Sequence, residues 1–146
     1  MTNPESLSPA RVDHVGLSVA DLDGMLRWYA DAFGMTCSDT FDVPALQLRG
    51  AFLNHPNGLT LELIERVGSI GQTPANDQAE SLLRRGYAHL CLAVEDVDRT
   101  HGWLLTCGAQ EKMAPCPSPE PGVRMSFLAD PEGNFIELID RKEPRS

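Results

Sequence analysis

Asp13-His14-Val15-Gly16-Leu17-Ser18-Val19-Ala20-Asp21-Leu22 returns 75 residues later as Ala88-His89-Leu90-Cys91-Leu92-Ala93-Val94-Glu95-Asp96-Val97. The same offset carries Glu62 onto Glu137, Trp28 onto Trp103, Arg49 onto Arg124 and Phe52 onto Phe127. Laid over each other without a gap, residues 11–66 and 86–141 are identical at 16 of 56 positions. Ordinary composition gives roughly three or four. An internal repeat of this length means two similar modules, and it has to be settled before any fold is assigned.

Each copy reads as strand, helix, then three strands, which places the chain in the α+β class as two tandem βαβββ modules. Val12–Val19 alternates and is rich in β-branched residues, so it is a strand. Asp21 is a helix N-cap; Leu22, Met25, Leu26, Tyr29 and Phe33 follow at helical spacing, and Gly34 is the C-cap. Strands are expected near 35–42, 45–54 and 59–66. The second copy predicts a strand over 86–94, a helix near 97–107, and strands near 109–115, 123–129 and 134–140. Residues 114–122 hold four prolines and read as a loop. The expected organisation is a flexible lead over 1–10, a first module over 11–66, a linker over 67–85 with a short helix near 78–84, and a second module over 86–141.

The net charge of −9 and pI near 4.7 argue against nucleic acid or an anionic membrane as partner, because both demand basic patches. No run approaches the roughly 18 to 20 apolar residues of a membrane span. The N-terminal stretch lacks the apolar core of a signal peptide, which predicts a cytoplasmic protein. The four cysteines, Cys37, Cys91, Cys107 and Cys116, form no C-x-x-C pair and read as reduced thiols.

Strand side chains alternate between two faces. One face of the repeated strands is purely apolar: Val15, Leu17, Val19, Leu61, Leu63, Leu90, Leu92, Ile136 and Leu138. The other carries His14 with Gly16 and Ser18, His89 with Cys91, and the two glutamates with Thr60, Ile64, Phe135 and Ile139. A single strand histidine is more often a hydrogen-bonded core residue. A carboxylate in an apolar strand is different, because its desolvation costs several kcal/mol without a partner. Two matched His and two matched Glu make a metal the economical partner, with His14, Glu62, His89 and Glu137 as ligands. Imidazole and carboxylate together suit Zn, Ni, Co, Mn or Fe(II). Ser18, Cys91 and Phe135 are candidate pocket residues. Arg49 and Arg124 would either hold a substrate anion or form structural salt bridges kept by the duplication. Trp28 and Trp103 read as helix packing residues.

These runs, with Trp28-Tyr29, Phe33-Gly34 and the closing Asp130-Pro131-Glu132-Gly133-Asn134-Phe135-Ile136-Glu137-Leu138, resemble the vicinal oxygen chelate superfamily over residues 11–141. The resemblance implies a curved mixed sheet around a central cavity, one divalent metal per site on His14, Glu62, His89 and Glu137, and a homodimer. In this superfamily modules pair within one chain or across two. The implied chemistry is that of a metal-dependent lyase or isomerase of the glyoxalase I or methylmalonyl-coenzyme A epimerase type, acting on a small molecule. Glu137 or Glu62 moves a proton through a metal-stabilised enediolate or enolate, with Glu137 favoured by the family role at that position. The fold also hosts antibiotic-binding resistance proteins and metal-dependent dioxygenases, so it does not settle function. Glutathione-using members carry an Arg where this chain has Ser18, and an Asn-Trp-Gly stretch where it reads Leu63-Ile64-Glu65-Arg66-Val67-Gly68.

Overall fold

The computed structural model describes residues 10–142. Most of the expected N-terminal lead therefore lies outside the described residues. The first module contains β1 (Val15–Val19), α1 (Leu22–Phe33), β2 (Thr36–Val43), β3 (Leu48–Asn54) and β4 (Thr60–Arg66). A short helix, α2 (Gln78–Ser81), precedes β5 (Leu90–Ala93), α3 (Val97–Thr106), β6 (Gln110–Pro117), β7 (Arg124–Ala129) and β8 (Phe135–Ile139). The described residues form two four-stranded sheets, ordered β1-β4-β3-β2 and β5-β8-β7-β6. In each, the first and last strands of the module pair in parallel and the other pairs are antiparallel.

The helix ends follow the sequence. The Asp21 carboxylate accepts from the Gly24 N–H, and Asp96 does the same for Arg99, satisfying donors that the first turn leaves unpaired. Gly34 closes α1 at φ 66°, a left-handed conformation that a Cβ would disfavour. Four strand boundaries differ from the sequence expectation by two residues or more. The strands expected from residues 12 and 86 begin at Val15 and Leu90, where the pairing with Leu61 and Ile136 begins. A 3-10 turn over Pro44–Leu46 occupies the start of the strand expected at 45. β6 continues to Pro117 through Pro115, across two register breaks. It is an edge strand, so a missing proline N–H costs no ladder bond on its open side.

The apolar sheet faces and the two helices form one joint core. Val19, Leu22, Met25, Leu53, Leu61 and Leu63 of the first module pack in the same cluster as Val97, Leu104, Leu128, Ile136 and Leu138 of the second. The Trp28 Nε1–H donates to the Cys107 carbonyl at 2.9 Å, and the Trp103 Nε1–H donates to the Ala32 carbonyl at 2.9 Å. Donors and acceptors are both related by the offset of 75, so a local pseudo-twofold axis runs between the helices. The tryptophans therefore do more than pack: each ties its helix to the other module.

The closing turn is the other half of the joint. Asp130, fully buried, accepts from the Tyr29 hydroxyl at 2.8 Å and from Asn134, while the Glu132 carboxylate accepts from the N–H groups of Ala20 and Asp21. Burial and the neighbouring Asp130 push the Tyr29 hydroxyl well above the usual phenol range, because both disfavour a phenolate.

Candidate functional site

Helices cover one face of each sheet. The opposite faces carry the repeated His and Glu. Gly16 lies beside Glu62 in the β1–β4 register and Cys91 beside Glu137 in the β5–β8 register. His14 and His89 come just before their strands, aligned with that face. His14 Nε2 lies 3.2 Å from Glu62 Oε2, and His89 Nε2 lies 2.9 Å from Glu137 Oε2. A Cβ on Gly16 would sit 3.4 Å from Glu62 Oε2, so the small residue keeps room beside the carboxylate.

Each histidine meets an aromatic edge to face: His14 and Phe52 at 5.4 Å, His89 and Phe127 at 5.1 Å between ring centroids. Phe52 and Phe127 are also the register partners of Glu62 and Glu137. Each Glu–Phe–His trio is thus the same construction made twice. The signal was available in the sequence, since Phe52 and Phe127 match at the offset of 75 and belong to neighbouring strands. One element is not duplicated. Asp13 Oδ2 lies 2.7 Å from His14 Nδ1, whereas Ala88 stands at the equivalent place. Hydrogen bonding to Asp13 is the main cause of a His14 imidazole raised above its ordinary range; it also aims Nε2 at Glu62.

The two pairs do not meet within the chain. Among the described residues no group of three or more His, Cys, Asp and Glu is placed to hold a metal. The physical reason is the joint core: the helix-covered faces turn toward each other, so the His/Glu faces turn outward.

Of the candidate pocket residues, Ser18 and Cys91 are exposed on the His/Glu faces. Phe135 is on that face too, buried with Phe127, Ala129 and Ala75. Arg49 and Arg124 are not brought to it. Arg49 pairs with Glu65 in the β3–β4 register, three positions from the Phe52–Glu62 pair, an odd spacing that puts it on the helix side. Its Nε donates to Glu65 at 2.9 Å and its Nη2 to Asp23 at 3.0 Å, while Glu65 also accepts from the Leu22 N–H. Arg124 binds Asp98 on α3, the counterpart of Asp23, while Asp140, the counterpart of Glu65, accepts from the Arg124 backbone N–H. Both guanidiniums clamp a helix start to its sheet. The Arg49 hydrogen bonds hold the Glu65 carboxyl below its usual range, and Arg124 does the same for Asp98.

The donor chemistry fits a divalent ion. Each pair presents an imidazole nitrogen and a carboxylate oxygen within about 3 Å of each other, donor types that suit a borderline divalent cation. The model of the glyoxalase/bleomycin resistance protein/dioxygenase superfamily matches residues 11–138. The chain belongs to that superfamily. It is 29% identical over 126 residues to a probable lactoylglutathione lyase of Synechocystis sp., covering 86% of this chain and 92% of that one. It is 28% identical over 133 residues to the lactoylglutathione lyase of Haemophilus influenzae, covering 91% and 94%. The crystal structure of glyoxalase I from Zea mays superposes with a TM-score of 0.71 at 26% identity, covering 91% of this chain and 45% of the maize chain. This chain thus spans about half the maize protein's length. No described helix is long and apolar enough to cross a membrane.

Proposed function

We propose that this superfamily member is a divalent-metal-dependent lyase or isomerase of the glyoxalase type, and that it works as a homodimer. His14 and Glu62 of one copy would face His89 and Glu137 of the partner copy, forming one four-ligand site twice per dimer. The observation that carries this reading is the pair of matching His/Glu half-sites on outward faces, in a chain whose relatives include named lactoylglutathione lyases. Among the described residues β1 pairs only with β4, and β5 only with β8. Each sheet therefore ends in an unpaired edge beside its histidine, and such edges are normally paired or covered. Val12 and Tyr87, equivalent under the offset of 75, stand fully open near those edges. Continuing β1 of one copy with β5 of the other would cover both edges and face the half-sites toward each other.

A bound divalent ion would supply Lewis-acid polarisation of two adjacent substrate oxygens. The protein's part is proton transfer. Glu137 takes the C1 proton of a 2-oxoaldehyde–thiol hemithioacetal and returns it to C2, while the C1 hydroxyl proton passes to the C2 oxygen, so that the product is the isomeric 2-hydroxyacyl thioester and no oxidant is needed. Phe127 and Ile139, on the same face as Glu137, exclude water from the proton's path.

The test is metal content after stripping and reconstitution, followed by thioester formation from 2-oxoaldehyde–thiol adducts. One ion per chain and turnover are expected. Glu137→Gln should lower kcat about a thousandfold, the scale of general acid–base catalysis. An unchanged kcat would remove Glu137 from this role, and a wild type that holds no metal would favour a binding protein.

A further inference from the structure

The linker does not hang free. Ala75 is 5% exposed and packs with Phe127, Ala129 and Phe135, with Met113 and Met125 around them. This second apolar cluster lies on the His/Glu face of β7 and β8, opposite the joint core. Four ties hold the segment. The Lys112 Nζ donates to the Ala75 carbonyl at 2.9 Å, Arg84 donates to the Thr73 carbonyl, and the Asn76 N–H donates to Glu80 at 2.7 Å. Pro74 sits over Gly133, 3.8 Å from where a Cβ would stand. Lys112 also lies over the Phe135 ring, 5.6 Å from its centroid.

Phe135 is two residues from Glu137 on the same strand face, a separation of about 7 Å. The strap therefore stands next to the second half-site and closes the closing-turn end of its face. The charge of Lys112 is spent on a backbone carbonyl and an aromatic ring. At the far end, Arg141, four residues beyond Glu137, is bound to Glu120 at 3.0 Å. Both cations at the ends of this face are already engaged by the protein itself.

We infer that Thr73–Asp77 is a specificity wall. It closes the Phe135 end of the site and occupies Lys112, so that the site takes compact, short-tailed vicinal-oxygen substrates and disfavours long anionic thiol conjugates. This inference rests on the metal-site reading above. It separates this chain's substrate preference from that named in its lactoylglutathione lyase relatives.

The experiment uses the metal-loaded protein and two bidentate probes with the same hydroxamate head: acetohydroxamate, and a hydroxamate joined to glutathione. Binding is read by calorimetry and, with Co(II) bound, by the visible spectrum. In the wild type the glutathionyl arm should weaken binding about tenfold. Ala75→Asp, which puts a charge into the apolar cluster, and Lys112→Met, which removes the tie but keeps an apolar stem, should each erase that penalty. Faster amide exchange at 73–77 would report release of the strap, and circular dichroism an intact fold. An arm that tightens wild-type binding, or a penalty unchanged when exchange shows the strap released, overturns the inference. Failure of acetohydroxamate itself to bind overturns the metal-site reading, and the inference with it.

Discussion

If each site is shared between copies, two dead proteins should make a live one. Variant one is His14→Ala with Glu62→Ala; variant two is His89→Ala with Glu137→Ala. Every site in either homodimer lacks two of its four ligands. Loss of a single outer-shell partner costs about 10–100-fold in metal affinity, so loss of two ligands costs more than 100-fold and neither homodimer retains metal through gel filtration. The outward faces of the His/Glu pairs decide what happens on mixing. In a heterodimer, one site receives both damaged halves and the other receives both intact halves. Random reassortment of equal amounts makes about half of all dimers mixed. Bound metal and turnover should then recover to about a quarter of the wild-type value per chain, and to about half when differently tagged heterodimers are isolated. The assay is metal per chain on those heterodimers, with initial rate beside it. Isolated heterodimers that hold no metal would refute the shared site, because a site within one chain is damaged in both variants.

Other consequences follow from contacts that the chemistry does not use. Tyr29→Phe removes a donor from fully buried Asp130; it should cost about 1–3 kcal/mol in denaturant unfolding while leaving metal binding unchanged. Glu65 and Asp98 have folded-state values depressed by Arg49 and Arg124. Their stabilisation is therefore full above the unfolded carboxylate range, near pH 4, and is lost as pH falls through the lower folded values. Stability should drop below about pH 4, and Arg49→Met with Arg124→Met should flatten that drop in an unfolding series across pH. Gly50→Ala would put a Cβ inside the contact distance of the Phe41 ring. That half-buried ring has to swing away, at a cost of about 1 kcal/mol in thermal unfolding.

Legibility in the sequence followed how local each signal is. The bounds of α1 were readable because the Asp21 cap, the apolar spacing and Gly34 all act within a few residues. The shared face of His14 and Glu62 was readable because alternation is a property of single strands, and the repeat supplied the register between them. The course of β6 was not, because tolerance of Pro115 and Pro117 depends on an edge position that only sheet order reveals. Arg49 and Arg124 showed the limit of a repeat. Duplication preserves whatever the ancestral module needed, and here it preserved a helix clamp alongside the His/Glu face. One-residue parity against Phe52 and Phe127 assigns each arginine to the other side. The burial of Ala75 left no local trace: of the linker's two alanines, Ala75 and Ala79, Ala75 is the buried one because Phe127 and Phe135 lie beneath it.

On the shared-site reading proposed above, the joint core is also the reason a second copy would be needed. A four-stranded sheet with a single helix over it has two faces to cover, and each module's own helix covers one. Packing the modules helix side to helix side buries Leu53, Leu63, Leu128 and Leu138 completely, worth about 1.5–3 kcal/mol for each such side chain. The same packing sends the two His/Glu faces in opposite directions. A chain that instead closed its own half-sites would have to bring those faces together and give up the reciprocal Trp28–Cys107 and Trp103–Ala32 bonds, together with the buried Tyr29–Asp130 contact. Those bonds cross the module boundary and commit the fold to one arrangement. On the proposed reading, a single-chain site and this joint are therefore mutually exclusive, and a second duplication, of the whole chain, would be needed for the four proposed ligands to meet within one polypeptide. The maize glyoxalase I chain, of which this chain spans 45%, has the length that such a second duplication would give.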